Sequence, residues 1–237
     1  MRQIWTAASL GLCIALAGCG QKAPKYGEPY LAPSIAEQEK AIFGEVSPSD
    51  LPANQRAALA HAHAVTAIAL YRAGEADGAA LHAGLVDAGA HPGLMVGLDT
   101  MGFDPAAVAA VAAAPQDDAA AEAARVMLAA MRPTMTGDVK ATTEFLMKHL
   151  AAEYEAGADG GTIVDLTAYQ TAYGLAVTAR DIVAAQDAEV YGKLTLDLEI
   201  LVRMWPGKGP LATSTPAPDT EMALALSNVK SALSGLP

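Results

Sequence analysis

Four of the five histidines lie within residues 61–91, and imidazole is both the commonest metal ligand and an acid–base group near neutral pH. His61 and His63 stand two positions apart, about 200° around a helix axis, so a regular helix cannot bring both to one ion. If residues 61–91 form a hairpin, His82 and His91 bracket the level of His63, each about 6 to 8 Å away along the axis. The spacing predicts that His63, His82 and His91 could converge on a metal ion or a haem iron.

Histidines at such loose spacing also occur as structural or surface residues with no ligand, and that alternative stays open at this point. The chain contains no HExxH pattern, no pair of ExxH motifs and no CxxCH motif, so zinc-protease, di-iron carboxylate and haem c sites are excluded. No serine lies in a nucleophile elbow with a histidine and an acid to activate it. The sequence therefore predicts a non-catalytic binding module rather than an enzyme.

The elements that would position these histidines are helices. Alanine, the best helix former, is abundant, aromatic residues make up only 5% of the chain, and the alternating pattern of strands is almost absent. Apolar positions recur at helical spacing from Pro52 to Ala73, Gly74 is a natural C-cap, and a second helix runs from Glu75 to about Ala88. The short turn makes the two helices antiparallel. We predict an all-α, alanine-rich bundle of about six helices with a helix-turn-helix hairpin at 52–90.

The rest of the chain continues the helical pattern. Asp104-Pro105 begins a helix, Gln116 to Met131 and Thr136 to Ala156 form two more, and Thr162 to Trp205 is the longest apolar stripe, with a break near Gly192. Together these predict a helical domain over 34–205. A linker rich in Pro, Gly, Ser and Thr then spans 206–219, and a weakly amphipathic C-terminal helix lies within 220–237.

The N-terminal 18 residues have the form of a secretory signal peptide, with Arg2 ahead of an apolar stretch too short to span a bilayer. The segment ends in Leu16-Ala17-Gly18-Cys19, which resembles the lipobox of bacterial lipoproteins. The resemblance implies that Cys19 is lipidated and becomes the mature N-terminus. Residues 19–33, rich in proline and glycine, would then be a flexible tether to the body.

The lipobox resemblance implies anchoring to the bacterial envelope on the periplasmic side, with the lipid bilayer as a partner. Gly20 stands where aspartate marks inner-membrane retention in enteric bacteria, so the analogy favours the outer membrane. Loss of Arg2 with residues 1–18 takes the net formal charge from −11 to −12. A nucleic-acid partner is excluded because phosphate binding needs clustered Lys and Arg, whereas an acidic body favours cationic ligands, metal ions included.

The hairpin resembles a family of exported helical proteins of alphaproteobacteria whose pattern is roughly GHLxVGxxLYxxG, followed by a histidine and an HP pair. No activity is known for that family, so the resemblance implies none for this chain. It covers about thirty of the 237 residues. Ala62 departs from the glycine of the pattern, and His82 is separated from the HP pair by AGLVDAGA instead of lying close to it. The corresponding residues here are His63, Leu70, Tyr71, Gly74, His82 and His91-Pro92.

The same hairpin is similar to a tetratricopeptide unit, in which a tyrosine, a glycine and an alanine let two helices pack closely. Tyr71, Gly74 and Ala79 fall near those places, and such hairpins form grooves that bind peptides. This resemblance supports the alternative function: a scaffold lipoprotein whose hairpin groove binds another envelope protein, with the histidines incidental.

Overall fold

Capping residues and turns divide the helix-forming sequence into a series of separate helices. The computed structural model describes residues 47–113, 118–205, 207 and 209–237. This part of the chain contains nine α-helices and one small hairpin of two strands, which confirms the all-α prediction. The elements are α1 Ala53–Ala73, α2 Ala76–Gly84, α3 Pro92–Met95, α4 Pro105–Ala113, α5 Asp118–Met131, α6 Val139–Gly157, β1 Ala158–Asp159, β2 Thr162–Ile163, α7 Leu166–Ala184, α8 Ala188–Val202 and α9 Asp219–Ser234.

The predicted hairpin forms as α1 and α2. Gly74 ends α1 in the left-handed region (φ 84°), where glycine has no steric cost, and its N–H bonds to the Leu70 and Tyr71 carbonyls. Helix α2 is shorter than predicted and ends at Gly84 instead of near Ala88. The Asp87 carboxylate accepts from the backbone N–H groups of residues 89 and 90, so this stretch turns before His91.

Helix α7 is the centre of the bundle and packs against α1, α6 and α8. Its close approach to α1 depends on Gly174: a Cβ there would lie 2.3 Å from both the Ala62 carbonyl oxygen and the Thr66 hydroxyl. A small residue at such a crossing lets two helix backbones come almost into contact. The residues around this crossing include His61 and His63, so Gly174 sets the position of both imidazoles relative to α7.

Three aspartates cap the N-termini of α6, α7 and α8. The carboxylates of Asp138, Asp165 and Asp187 accept backbone N–H groups in the first turns of α6, α7 and α8, as N-cap residues do. The prediction of one long element from Thr162 to Trp205 with a break near Gly192 was wrong in its position. The break lies between α7 and α8, where Asp187 starts a new helix, and Gly192 sits inside α8.

The C-terminal segment from residue 209 is joined to the body by specific hydrogen bonds. Within the segment predicted as a linker, the Pro210 carbonyl accepts from the Gln170 amide and the Ala217 carbonyl accepts from the Tyr154 hydroxyl. Helix α9 then packs against α8 and α6, with Met222 and Val229 among its buried side chains. Segment 209–218 is thus fastened to α6 and α7.

The predictions for residues 1–46 fall outside the described residues, including lipidation of Cys19, the tether over 19–33 and the start of the predicted helical domain before residue 47. Within the described part of the chain, no helix is both long enough and apolar enough to cross a membrane.

Candidate functional site

The hairpin brings His63 and His82 into direct contact. Their Nδ1 atoms lie 3.2 Å apart, the His82 Nε2 lies 3.3 Å from the Gln170 side-chain oxygen, and all three side chains are buried. Gln170 in turn donates from Nε2 to the Pro210 carbonyl at 3.2 Å. The result is one hydrogen-bonded chain that links α1, α2, α7 and the segment before α9.

The Pro210 carbonyl fixes the protonation pattern of this chain. A carbonyl can only accept, so Gln170 donates its N–H₂ to it and presents Oε1 to His82. His82 therefore carries its proton on Nε2, and its Nδ1 accepts from the Nδ1–H of His63. Every assigned bond has one donor and one acceptor, which is the arrangement a dry interior requires.

Both imidazoles of the pair are neutral near pH 7. Burial lowers the pKa of His63 to about 3, with His82 and His91 adding to the effect. Burial also lowers the pKa of His82 to about 4, against the opposing effect of the hydrogen bond that His82 donates to Gln170. A charged imidazole would lose its hydration without gaining a carboxylate partner in this chain. The pair therefore serves as a neutral, structural connection.

His91 is also buried, and it lies near enough to His63 to influence that residue's pKa. Across the described residues, however, no group of three or more His, Cys, Asp or Glu side chains is arranged to hold a metal ion. The structure thus brings together His63 and His82 of the predicted triple, as a hydrogen-bonded pair. A metal or haem site at His63, His82 and His91 stays a prediction.

His61 points away from this network, as its spacing from His63 requires. Its Nδ1 lies 2.9 Å from the Thr178 hydroxyl of α7, while its Nε2 is buried and has no hydrogen-bond partner among the described residues. Burial lowers the pKa of His61 to about 4; Asp181 raises it, and Arg132 and Arg180 lower it further. A buried polar atom with no partner costs folding free energy unless a ligand or water satisfies it.

A pocket of about 330 Å³ adjoins His61 between α1, α5 and α7. Each helix contributes residues three or four apart, so the pocket is the meeting point of three helix faces. Apolar side chains form part of the wall, and the ionisable groups are four arginines, two acids, the imidazole and the Tyr173 phenol. The lining comprises His61, Val65, Ile68, Ala69, Arg72, Glu122, Arg125, Val126, Leu128, Ala129, Arg132, Tyr173, Val177, Arg180 and Asp181.

The arginines of this pocket, which we call the arginine pocket, outnumber its acids by four to two. Asp181 pairs with Arg180 at 2.6 Å and with Arg132 at 3.6 Å, and Arg125 pairs with Glu122 at 2.5 Å. These ion pairs leave a local excess of two positive charges. Four of the seven arginines of an acidic chain thus surround one pocket.

A larger open groove of about 520 Å³ lies between the start of α1 and the start of α6, but it offers few charged or polar groups that could bind a ligand. Its one ionisable lining residue is Asp138, whose carboxylate is occupied as the N-cap of α6. Its other lining groups are small, apolar or amide-bearing side chains. The arginine pocket is the better candidate because it combines charge with an unsatisfied buried nitrogen.

The sequence reasoning found the histidines but missed Gln170, Thr178 and the arginine pocket. One local signal was present in the sequence. Residues 173, 177, 180 and 181 lie at helical spacing along α7, so a tyrosine and an Arg-Asp pair share one face of this helix. Their partners on α1 and α5 lie far away in the chain, so no spacing rule could join them.

Comparison with protein-family models, with curated proteins and with solved structures finds no match for this chain.

Proposed function

We propose that this protein is a non-catalytic binding module, held to the bacterial envelope through Cys19, and that it captures a small ligand in the arginine pocket. The observation that carries the proposal is His61: its imidazole is fully buried, Nδ1 bonds to Thr178, and Nε2, which has no described partner, belongs to a residue of the pocket wall. Ligand sites typically join an apolar wall to a few fixed polar groups.

The pocket wall is rigid at its floor. His61 lies on the stretch of α1 that meets α7 at Gly174, and Asp181 links Arg132, which follows α5, to α7. Groups fixed before binding cost little entropy when a ligand arrives. The arrangement supports recognition of a ligand.

The hairpin histidines support this function less well than His61 does. His63 and His82 already bond to each other and to Gln170 in the interior. A metal ion bound there would have to displace those bonds, because each nitrogen lone pair can serve only one partner. Metal capture by the hairpin is therefore the competing outcome of the test.

Filling the pocket should abolish binding. Ala129 lines the arginine pocket and is exposed on α5, whereas the neighbouring Ala130 is exposed on the same helix but outside the pocket. We expect Ala129→Phe to remove ligand-induced stabilisation and Ala130→Phe to keep it. Thermal unfolding of the full chain would be measured with inorganic phosphate, succinate, choline, glucose, zinc and haem as probes, since a ligand raises stability in proportion to the logarithm of its excess over Kd.

Three results would overturn the proposal. The first is stabilisation by a probe that is equal in Ala129→Phe and Ala130→Phe. The second is stabilisation by zinc or haem alone, lost when His63 and His82 are replaced and kept in Ala129→Phe, which would assign the function to the hairpin. The third is failure of every probe to stabilise the wild-type chain.

A further inference from the structure

We propose that the ligand of the arginine pocket is a small oxyanion, a phosphate or dicarboxylate group, held by Arg72, Arg132 and Arg180 and by an N–H at Nε2 of His61. This inference rests on the proposed function and adds to it the chemical class of the ligand. It reverses, for this pocket, the preference for cations that the acidic charge of the whole chain suggests.

The charge of the pocket is opposite to that of the protein. The chain carries 26 acidic and 15 basic residues, yet the pocket holds four arginines against Glu122 and Asp181. Guanidinium groups present paired N–H donors that match the geometry of carboxylate and phosphate oxygens. Concentrating them in a concave site of an acidic protein favours an anion there and disfavours it elsewhere.

Asp181 orients two of these arginines and does not neutralise both. It receives Arg180 at 2.6 Å and Arg132 at 3.6 Å, so a single carboxylate faces two guanidinium groups from different elements. The Arg132 Nε–H is buried with no hydrogen-bond partner among the described residues. A ligand oxygen could satisfy that donor, and it would complete the charge balance of the pair.

Arg72 completes the arrangement from α1. It lines the same pocket, and its side chain is exposed, so its long stem is able to swing over a bound anion from the rim. Arg125, by contrast, bonds to Glu122 within α5. The pocket thus contains two half-buried arginines oriented by Asp181 and one exposed arginine at its rim.

His61 favours an anion over a cation in the part of the pocket next to its imidazole. When the Thr178 hydroxyl donates to Nδ1, the neutral imidazole carries its proton on Nε2, and this N–H is a buried donor, unpartnered among the described residues, of a residue that lines the pocket. A cation could not accept this bond, and it would also meet Arg132 and Arg180. An anion accepts the bond and lies in the field of both guanidinium groups.

The experiment is calorimetric titration of the full chain with inorganic phosphate and with succinate, beside choline and glucose. Wild type should bind at least one of the two anions and neither of the others. Arg72→Gln and Arg132→Gln should each weaken anion binding roughly tenfold. The matched control is Arg203→Gln, because Arg203 is exposed just after α8, does not line the pocket and pairs only with Glu199 among the described residues.

Equal loss of affinity in Arg203→Gln would mean a general charge effect and would overturn the assignment. Binding of choline or glucose that Ala129→Phe abolishes, with no binding of either anion, would also overturn it, while leaving the proposed binding module intact. Anion binding that survives Ala129→Phe would contradict the proposed function itself. Preference for phosphate over succinate, or the reverse, would identify which oxyanion the pocket recognises.

Discussion

Gly174→Ala should lower the free energy of unfolding by about 3 kcal/mol or more, the upper range for inserting a methyl group into a packed interior. The added Cβ would meet the Ala62 carbonyl and the Thr66 hydroxyl, each at 2.3 Å. Because the Ala62 carbonyl belongs to the α1 backbone, a rotamer change cannot relieve the clash, and α1 has to move away from α7. Chemical denaturation of the two proteins measures the difference.

The control is Gly192→Ala in α8. No atom lies within 4 Å of a Cβ built there, so the helix propensity of alanine should dominate and stabilise the chain by up to about 1 kcal/mol. Opposite signs for the two substitutions are therefore expected. A Gly174→Ala protein as stable as wild type would show that α1 and α7 are not packed as described.

Acidification should unfold this protein in a window set by its buried histidines. Burial lowers the pKa values of His61, His63 and His82 from 6.5 to about 4, 3 and 4. Below pH 6.5 the three histidines therefore become protonated in the unfolded chain while they stay neutral in the folded chain. Glu153 opposes them: burial, aided by Asp165, raises its pKa from 4.5 to about 7, so the folded chain binds one extra proton between those values.

For these four groups the net difference between pH 6.5 and 4.5 is two protons in favour of the unfolded chain, so they should lower stability by roughly 3 kcal/mol per pH unit on acidification. Burial also lowers the pKa of His149, which acts in the same direction. The stability that comes from the neutral buried histidines is fully present above pH 6.5 and is lost progressively as the pH falls toward 4. Urea unfolding across this range provides the slope.

Glu153→Gln separates the two contributions. Removing the carboxyl group removes the opposing proton, so the slope should steepen to roughly 4 kcal/mol per pH unit. If stability stays flat between pH 6.5 and 4.5 in both proteins, the histidines are not buried and neutral as the structure describes.

Local capping chemistry explains which parts of the fold could be predicted from the sequence. Gly74 and Asp104-Pro105 mark helix ends through their own backbone preferences, and α1 and α4 begin or end within a residue of the predicted places. The boundary between α7 and α8 was missed because it contains neither glycine nor proline. The aspartate at 187 caps the new helix, but a single aspartate inside a continuous apolar stripe is a weak signal beside Gly192.

The site depends on contacts that no sequence spacing encodes. Gln170 lies 88 positions from His82, and Thr178 lies 117 from His61. Sequence reasoning could place His61 and His63 on opposite sides of one helix, and their separate partners agree with that. It could not tell which side would meet the network of Gln170 and which would meet the arginines, because that choice follows from the packing of α1 against α7.

The most direct test of the central claim is NMR of the ¹⁵N-labelled imidazoles at pH 7 during titration with inorganic phosphate and with succinate. The account predicts that the ring nitrogen resonances of His61 shift on saturation with at least one anion, because Nε2–H gains an acceptor and the nearby negative charge raises its pKa. His63 and His82 should stay in place in their chain with Gln170 and Pro210. Shifts of His63 and His82 with no change at His61 would contradict it.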